Sequence, residues 1–274
     1  LNHKESWIPL KTFKRYSKLM LIMMKNCLIR EMQFRANFLI RIVTELLWLG
    51  MQLIYLGVIY AHTRELAGWN QWHMIALLGT IHIINQLFEG LFFDNCARLV
   101  DQIRMGDLDF VLLKPVNSQF LVSLRYTDYS SILNAFFGLA MVGFALGKLG
   151  IALSFAGMLA YSALVVNGIA ILYTMMFCLS AFTFWMGRSS NLFELYYQLG
   201  QFSRYPGEIY RWLLRVTLLT VIPMLVVSNF PAKVLFGWLP LSEALGGCAL
   251  GLGFLAGSVW VWKLGLSRYR SASS

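Results

Sequence analysis

The sequence predicts an all-α integral membrane protein of about six transmembrane helices, preceded by an N-terminal interfacial amphipathic helix, with both termini cytoplasmic. Three observations predict it. Of 274 residues, 58% are hydrophobic and only 13% are charged, with a mean hydropathy of +0.62, values outside the range of soluble domains. Apolar runs occur near residues 38–60, 71–93, 119–147, 153–186, 209–229 and 243–266, close to or above the ~20 residues that carry a helix across roughly 30 Å of hydrocarbon. The ~10-residue alternating segments of an outer-membrane barrel are absent, and in lipid a helix satisfies its own backbone.

The third observation is the placing of charge. The formal net charge is +10, which in a soluble chain would suggest nucleic acid. Alternating sides at each run instead puts twenty of the 23 Lys and Arg on one side and leaves Arg64, Lys148 and Lys233 on the other. That bias marks the cytoplasmic face. The basic balance therefore reports orientation and contact with anionic membrane lipids, with no nucleic acid as partner. The charged N-terminal segment offers no short apolar core followed by a small-residue cleavage site, and Cys27, Cys96, Cys178 and Cys248 fall inside or within spans, so no disulfide is expected.

In chain order, residues 1–37 precede the first run. Phe13, Tyr16, Met20, Met23, Met24 and Cys27 share one arc, and Lys11, Lys14, Arg15, Lys18 and Lys25 the other, as in a helix lying on the inner leaflet. The outer connections 61–70 and 148–152 are short. The third outer connection, 230–242, is apolar; Pro231 and Pro240 forbid an unbroken helix there, which predicts a re-entrant or interfacial element. Residues 188–215 place Leu192, Tyr196, Leu199 and Phe202 at helical spacing before a break at Arg204-Tyr205-Pro206-Gly207, which predicts an amphipathic helix on the inner surface and then a turn. Glycines 247 and 251, and 253 and 257, make two small-xxx-small pairs in the last run, read as close helix packing within the chain first and as a subunit interface second.

Enzymatic chemistry is largely excluded. Residues 143–149, GFALGKL, imitate the end of a phosphate loop, but Val142 takes the place of its first glycine and Leu149 of the hydroxyl that would hold magnesium. No H-E-x-x-H or G-x-S-x-G sequence occurs, and His62, His73 and His82 have no Cys or carboxylate to complete a metal set. Polar groups within the runs carry more information, because a charge in the bilayer is costly unless paired or hydrated. Arg41 and Glu45 are one helical turn apart and can pair along the first run; Asn85, Gln86 and Glu89 lie in the inner half of the second; Arg125 and Asp128 lie at the inner end of the third. These are read as mutually neutralising contacts near the inner interface, with Glu89 to Arg125 as a candidate interhelical pair, in preference to a substrate-lining role.

Residues 94–118 form the most distinctive inner connection. In DNCARLVDQIR, Leu99 and Ile103 share a face while Arg98, Asp101 and Arg104 supply charge; Gly106 then ends the helix and Pro115 fixes the start of the next run. A short amphipathic helix at the tip of a helical hairpin has the shape of a group that docks into a partner's groove. Here RMGDLDFVLLKPVNSQF, with Gly106, Leu108, Asp109, Leu112, Leu113, Pro115 and Val116, resembles the signature of ABC-2 type permeases, and FSRYPGEIYRWLLR resembles a second recurring block of the same family. The resemblance extends over essentially the whole chain.

What the resemblance implies is the membrane half of an ATP-binding-cassette exporter in a bacterial cytoplasmic (inner) membrane. Residues 1–37 would be the connecting elbow, and 38–270 the transmembrane domain with a coupling segment at 94–118. Its partners would be soluble ATPase subunits carrying ATP and Mg, and a second permease subunit, identical or homologous. This chain would have no cofactor and no catalytic residue of its own. The implied coupling residues are Arg98, Leu99, Asp101, Ile103, Arg104, Gly106, Leu108, Asp109 and Pro115. The alternative is an ion-gradient-driven secondary transporter, which favours inverted repeats and a midplane ionisable site; neither stands out in the sequence.

Overall fold

The computed structural model describes residues 10–186 and 190–269. Lys4, Arg188 and Arg270, assigned above to the inner side, lie outside the described residues, as do the side chains of Lys11, Phe13 and Leu192. Among the described residues the chain is helical throughout: α1 Leu10–Gln33, α2 Arg35–His62, α3 Gln71–Phe88, a π turn Glu89–Phe93, α4 Asp94–Met105, α5 Leu108–Leu112, α6 Ser118–Leu124, α7 Tyr129–Leu149, α8 Phe155–Ala181, α9 Thr183–Met186, α10 Ser190–Gln201, α11 Trp212–Thr220, α12 Met224–Leu235 and α13 Leu241–Arg268. Among the described residues, five helical runs are long and apolar enough to cross a membrane: Arg35–His62, Gln71–Met105, Tyr129–Leu149, Phe155–Met186 and Leu241–Arg268.

Local chemistry sets the ends. Asn70 caps α3 by accepting from the Trp72 and His73 N–H groups, and the His73 ring returns the favour by accepting from the Asn70 N–H. Ser154 caps α8 through the Gly157 N–H at 3.1 Å. Gly106 ends α4 at φ 83°, the left-handed stop that the sequence predicted.

The core is built by α3, α7, α8, α12 and α13. Close backbone approach between α3 and α7 depends on a glycine pair: a Cβ at Gly138 would lie 2.7 Å from the Gly79 carbonyl oxygen, and one at Gly79 2.8 Å from that of Gly138. Backbone on both sides leaves nothing soft to give way. Gly138→Val is expected to force the helices apart at a cost of about 1–3 kcal/mol or more, read as a lower thermal midpoint in detergent; an unchanged midpoint would mean that the pair is loosely held. The glycines of α13 divide: Gly247 lies against Phe230 and Gly251 against Asn167, whereas Gly253 and Gly257 face open space. α2 is peripheral, with most of its apolar side chains exposed.

Three expectations are corrected. The third apolar run is not one helix, because Arg125–Asp128 breaks it between α6 and α7. Asn95 holds this break open: its amide donates to the Leu91 and Tyr126 carbonyls at 2.9 and 2.7 Å, and its oxygen accepts from the Tyr126 N–H. Secondly, Pro231 does not interrupt a helix in the third outer connection; the break lies earlier, within the fifth run, at Pro223. α11 and α12 meet at 90° beside Pro223, and Pro231 sits buried inside α12. The re-entrant element is thus α11 with α12, residues 212–235, and Pro240 is the cap residue before α13.

Thirdly, residues 190–209 do not form a helix lying apart from the bundle: one face of α10 packs into it, while Glu194, Leu195 and Gln198 stay exposed. The Tyr196 ring is buried 5.7 Å from Phe88, and Tyr197 packs 5.8 Å from Phe93. From there two 3-10 turns, Phe202–Arg204 and Gly207–Ile209, carry the chain to Glu208, which pairs with Lys233 near the end of α12. The next residues, Phe236 and Trp238, pack on Trp69 at 5.7 and 5.4 Å, in the connection between α2 and α3. Residues 190–209 therefore traverse the bundle as a broken crossing, and α11–α12 dips in and returns at the Trp69 end. Arg211 and Arg215 move to that end with it, Arg215 lying 3.8 Å from Glu208. The helical period fades across the turns, so sequence patterning mistakes a broken crossing for a surface helix and a loop.

Non-helical backbone inside a bundle needs partners from elsewhere. α12 supplies them. Asn229 accepts the Gly207 N–H at 2.8 Å and donates to the Tyr205 carbonyl at 3.1 Å, while Ser228 donates to the Ser203 carbonyl.

Candidate functional site

Two features stand out: a polar cleft within the bundle and a tip at the end opposite Trp69. The cleft begins with the π turn. Its wider winding frees the Gly90 carbonyl, which accepts the Asp128 N–H at 2.8 Å; such turns recur at functional sites. Asp128 is thereby fixed at the start of α7, where its carboxylate accepts from the Ser130 and Ser131 N–H groups and pairs with Arg41 of α2. Glu45 accepts from Gln86 Nε2 at 3.0 Å.

The sequence-predicted pairing of Arg41 with Glu45 therefore does not form; Arg41 reaches across to α7, because a fixed capping carboxylate is a better partner than a neighbour on the same exposed face. Glu89 and Arg125 form no ion pair either. The Arg125 guanidinium stands 5.4 Å from the Tyr126 ring centroid and its carbonyl accepts from Cys27 Sγ, while Glu89 faces the cleft without a hydrogen-bond or ion-pair partner among the described residues. Arg41, Glu45, Glu89 and Asp128 thus meet in one cleft of about 770 Å³ between α2, α3, α7 and α10, and Arg125 stays outside it. Sequence reasoning missed Asn134 and Tyr197 on its wall, and placed Arg204 on a surface. The one signal for Asn134 was a lone amide in the apolar stretch SSILNAFFGLAMV.

The tip is built from α4, α5 and the turn to α6. Leu99, expected on a partner-facing side, is 1% exposed and packs in the core, as does Leu108; Ile103 is half-buried against it. The amphipathic pattern is real, but its apolar face covers the protein's own core. Arg98 lies 4.3 Å from the Tyr126 ring centroid, and Asp101 and Arg104 are exposed. Asp109 is half-buried, and Pro115 is exposed with its carbonyl accepting from Arg15. The most exposed apolar side chains of the tip are Met105, Phe110 and Leu113, at 70, 69 and 81% exposure.

α1 braces this tip. Arg15 Nη2 donates to the Pro115 carbonyl at 3.1 Å, the Asn117 N–H donates to the Tyr16 hydroxyl at 2.9 Å, and the Tyr16 ring meets Phe120 edge-on at 4.8 Å. Further along, Tyr129 Oη donates to the Met24 carbonyl and its N–H to Glu31. Burial pushes the Glu31 carboxyl above the ordinary carboxylate range, and the Tyr129 N–H draws it part of the way back.

A bundle of membrane-length helices enclosing a polar cleft defines a multi-pass membrane protein. The family model described as ABC-2 family transporter protein matches residues 46–273, and the chain belongs to that family. No curated protein and no solved structure matches it.

Proposed function

We propose that this chain is the permease subunit of an ATP-driven exporter of a bacterial cytoplasmic membrane. Two permease subunits, identical or homologous, are served by separate ATPase subunits that carry the ATP and Mg. The N-terminal end and the tip face the cytoplasm and the Trp69 end faces outward, in keeping with the clustering of Arg and Lys on α1, α4 and the end of α13. Closure of the ATPases moves the tip, and the bundle alternates access to the cleft.

The observation that carries the reading is the tip itself. Met105, Phe110 and Leu113 form an exposed apolar cap flanked by Arg104 and Lys114, on backbone braced from the side by α1. A helical hairpin that merely turned in water would not hold three large apolar groups outward. Coupling contact is thus assigned to this cap together with Asp101 and Arg104. Arg98, Leu99, Ile103, Gly106, Leu108, Asp109 and Pro115 shape the segment that presents it.

Affinity purification in mild detergent from the native host is expected to recover a soluble ATPase lacking a membrane domain of its own, together with a second permease chain of the same or similar sequence. A chain that runs alone as a stable species, with no nucleotide-hydrolysing partner, would overturn the proposal.

A further inference from the structure

The cleft has a composition that names a class of ligand; the inference rests on the permease reading and deepens it. Four carboxylates line it, Glu45, Glu89, Asp94 and Asp128, against the guanidinium groups of Arg41 and Arg204. Among the described residues, Asp128 alone of the four is ion-paired. In a site walled by helices, unbalanced negative charge calls for a cation or for protons.

A second and independent feature lies deeper. Asn134 is 1% exposed, yet neither atom of its side-chain amide has a hydrogen-bond partner, and Oε1 of Gln86, at 3% exposure, has none either. Both residues line the cleft. Buried amides without partners are uncommon in folded proteins, and both residues belong to the wall that carries the carboxylates.

The cleft also continues into an apolar groove of about 210 Å³ along α2, walled by Tyr55, Leu56, Ile59, Met74 and Leu78. Trp48, Met51, Gln52 and Arg204 line both compartments. Trp48, Phe93 and Tyr197 add aromatic faces to the polar part, which suit an organic cation better than a bare metal ion. Arg204 stands at the junction, 6.0 Å from the Trp48 ring centroid, and its charge favours keeping a cationic group on the carboxylate side.

We infer that this site binds a cationic amphiphile. An ammonium head lies among Glu45, Glu89 and Asn134, and the apolar chain lies in the groove beside α2.

The test uses the full chain in phosphatidylglycerol nanodiscs and radiolabelled dodecyltrimethylammonium as probe. Saturable binding is expected, displaced by unlabelled probe and not by dodecyl sulfate of the same chain length. Removing one facing charge weakens such a contact by about tenfold, so Glu89→Gln and Glu45→Gln should each raise Kd by about that factor with an unchanged thermal midpoint. Glu45 is on peripheral α2, so its variant keeps the test open even where Glu89→Gln folds poorly. Asn134→Leu should weaken binding while leaving the carboxylates in place. Competition when phosphatidylcholine replaces phosphatidylglycerol would identify a lipid headgroup as the source of the ammonium; persistence of binding would identify a free amine. Equal binding of dodecyl sulfate, or absence of saturable binding because protons alone neutralise the carboxylates, would overturn the inference. Binding requires no ATPase, so its failure is separate from failure to recover a coupled complex.

Discussion

Changing Phe110 and Leu113 together to aspartate is expected to strip the chain of its ATPase while the bundle remains folded, whereas Leu99→Asp should unfold it. All three residues lie within one short segment. Their surroundings are opposite. Phe110 and Leu113 project from the tip, so a charge there meets water in the free chain and becomes costly only when a partner's apolar groove closes over it. Interface anchors of this kind are worth upwards of ~2 kcal/mol each, and the double change should therefore lower ATPase recovery by roughly a hundredfold or more with no shift in thermal midpoint. Leu99 is enclosed by the core that includes Cys96, Leu108 and Leu121. A carboxylate there is buried without a partner, at a cost of about 3–5 kcal/mol. Pull-down yield and thermal midpoint are measured on the same preparations. Normal ATPase recovery by the Phe110/Leu113 variant would remove the tip from the interface.

Asn229→Leu is expected to be the most damaging substitution of similar size in α12. The side chain is 1% exposed and bonds both to the Gly207 N–H and to the Tyr205 carbonyl. Leucine fills nearly the same volume and satisfies neither. Each orphaned backbone group then costs about 1–3 kcal/mol, more where no water can reach it. The expected result is a sharp fall in thermal midpoint, with proteolytic cleavage appearing near residues 202–209. Asn229→Asp keeps an acceptor for Gly207 and should fall between the two. A leucine variant as stable as the parent would mean that water, not Asn229, serves the broken crossing.

Much of this architecture is legible in the chain because α2, α3, α7, α8 and α13 are continuous apolar runs of membrane length, and length alone suffices to find them. The crossing at 190–209 was hidden because its last third abandons the helix, and the side chains that compensate, Ser228 and Asn229, lie more than twenty residues away. Leu99 shows a different limit. Periodicity reveals that a helix has an apolar face, but not whether that face meets its own protein or another. The cleft was half visible: Arg41, Glu45, Glu89 and Asp128 could be singled out as charges in apolar surroundings, whereas the choice of partner between Arg41 and Asp128 depends on a π turn and an asparagine at 95 that no local pattern announces.

The bracing of the tip by α1 has a mechanical meaning. Bonds from Arg15, Tyr16, Met24, Cys27 and Glu31 fasten one helix to the backbone at Pro115, Asn117, Arg125 and Tyr129. Two stretches that would otherwise flex separately are stitched into a single crank, with the apolar cap at one end and the first turn of α7 at the other. A push at the cap would be carried along this braced path to the start of α7, where the Asp128 carboxylate clasps Arg41 of α2.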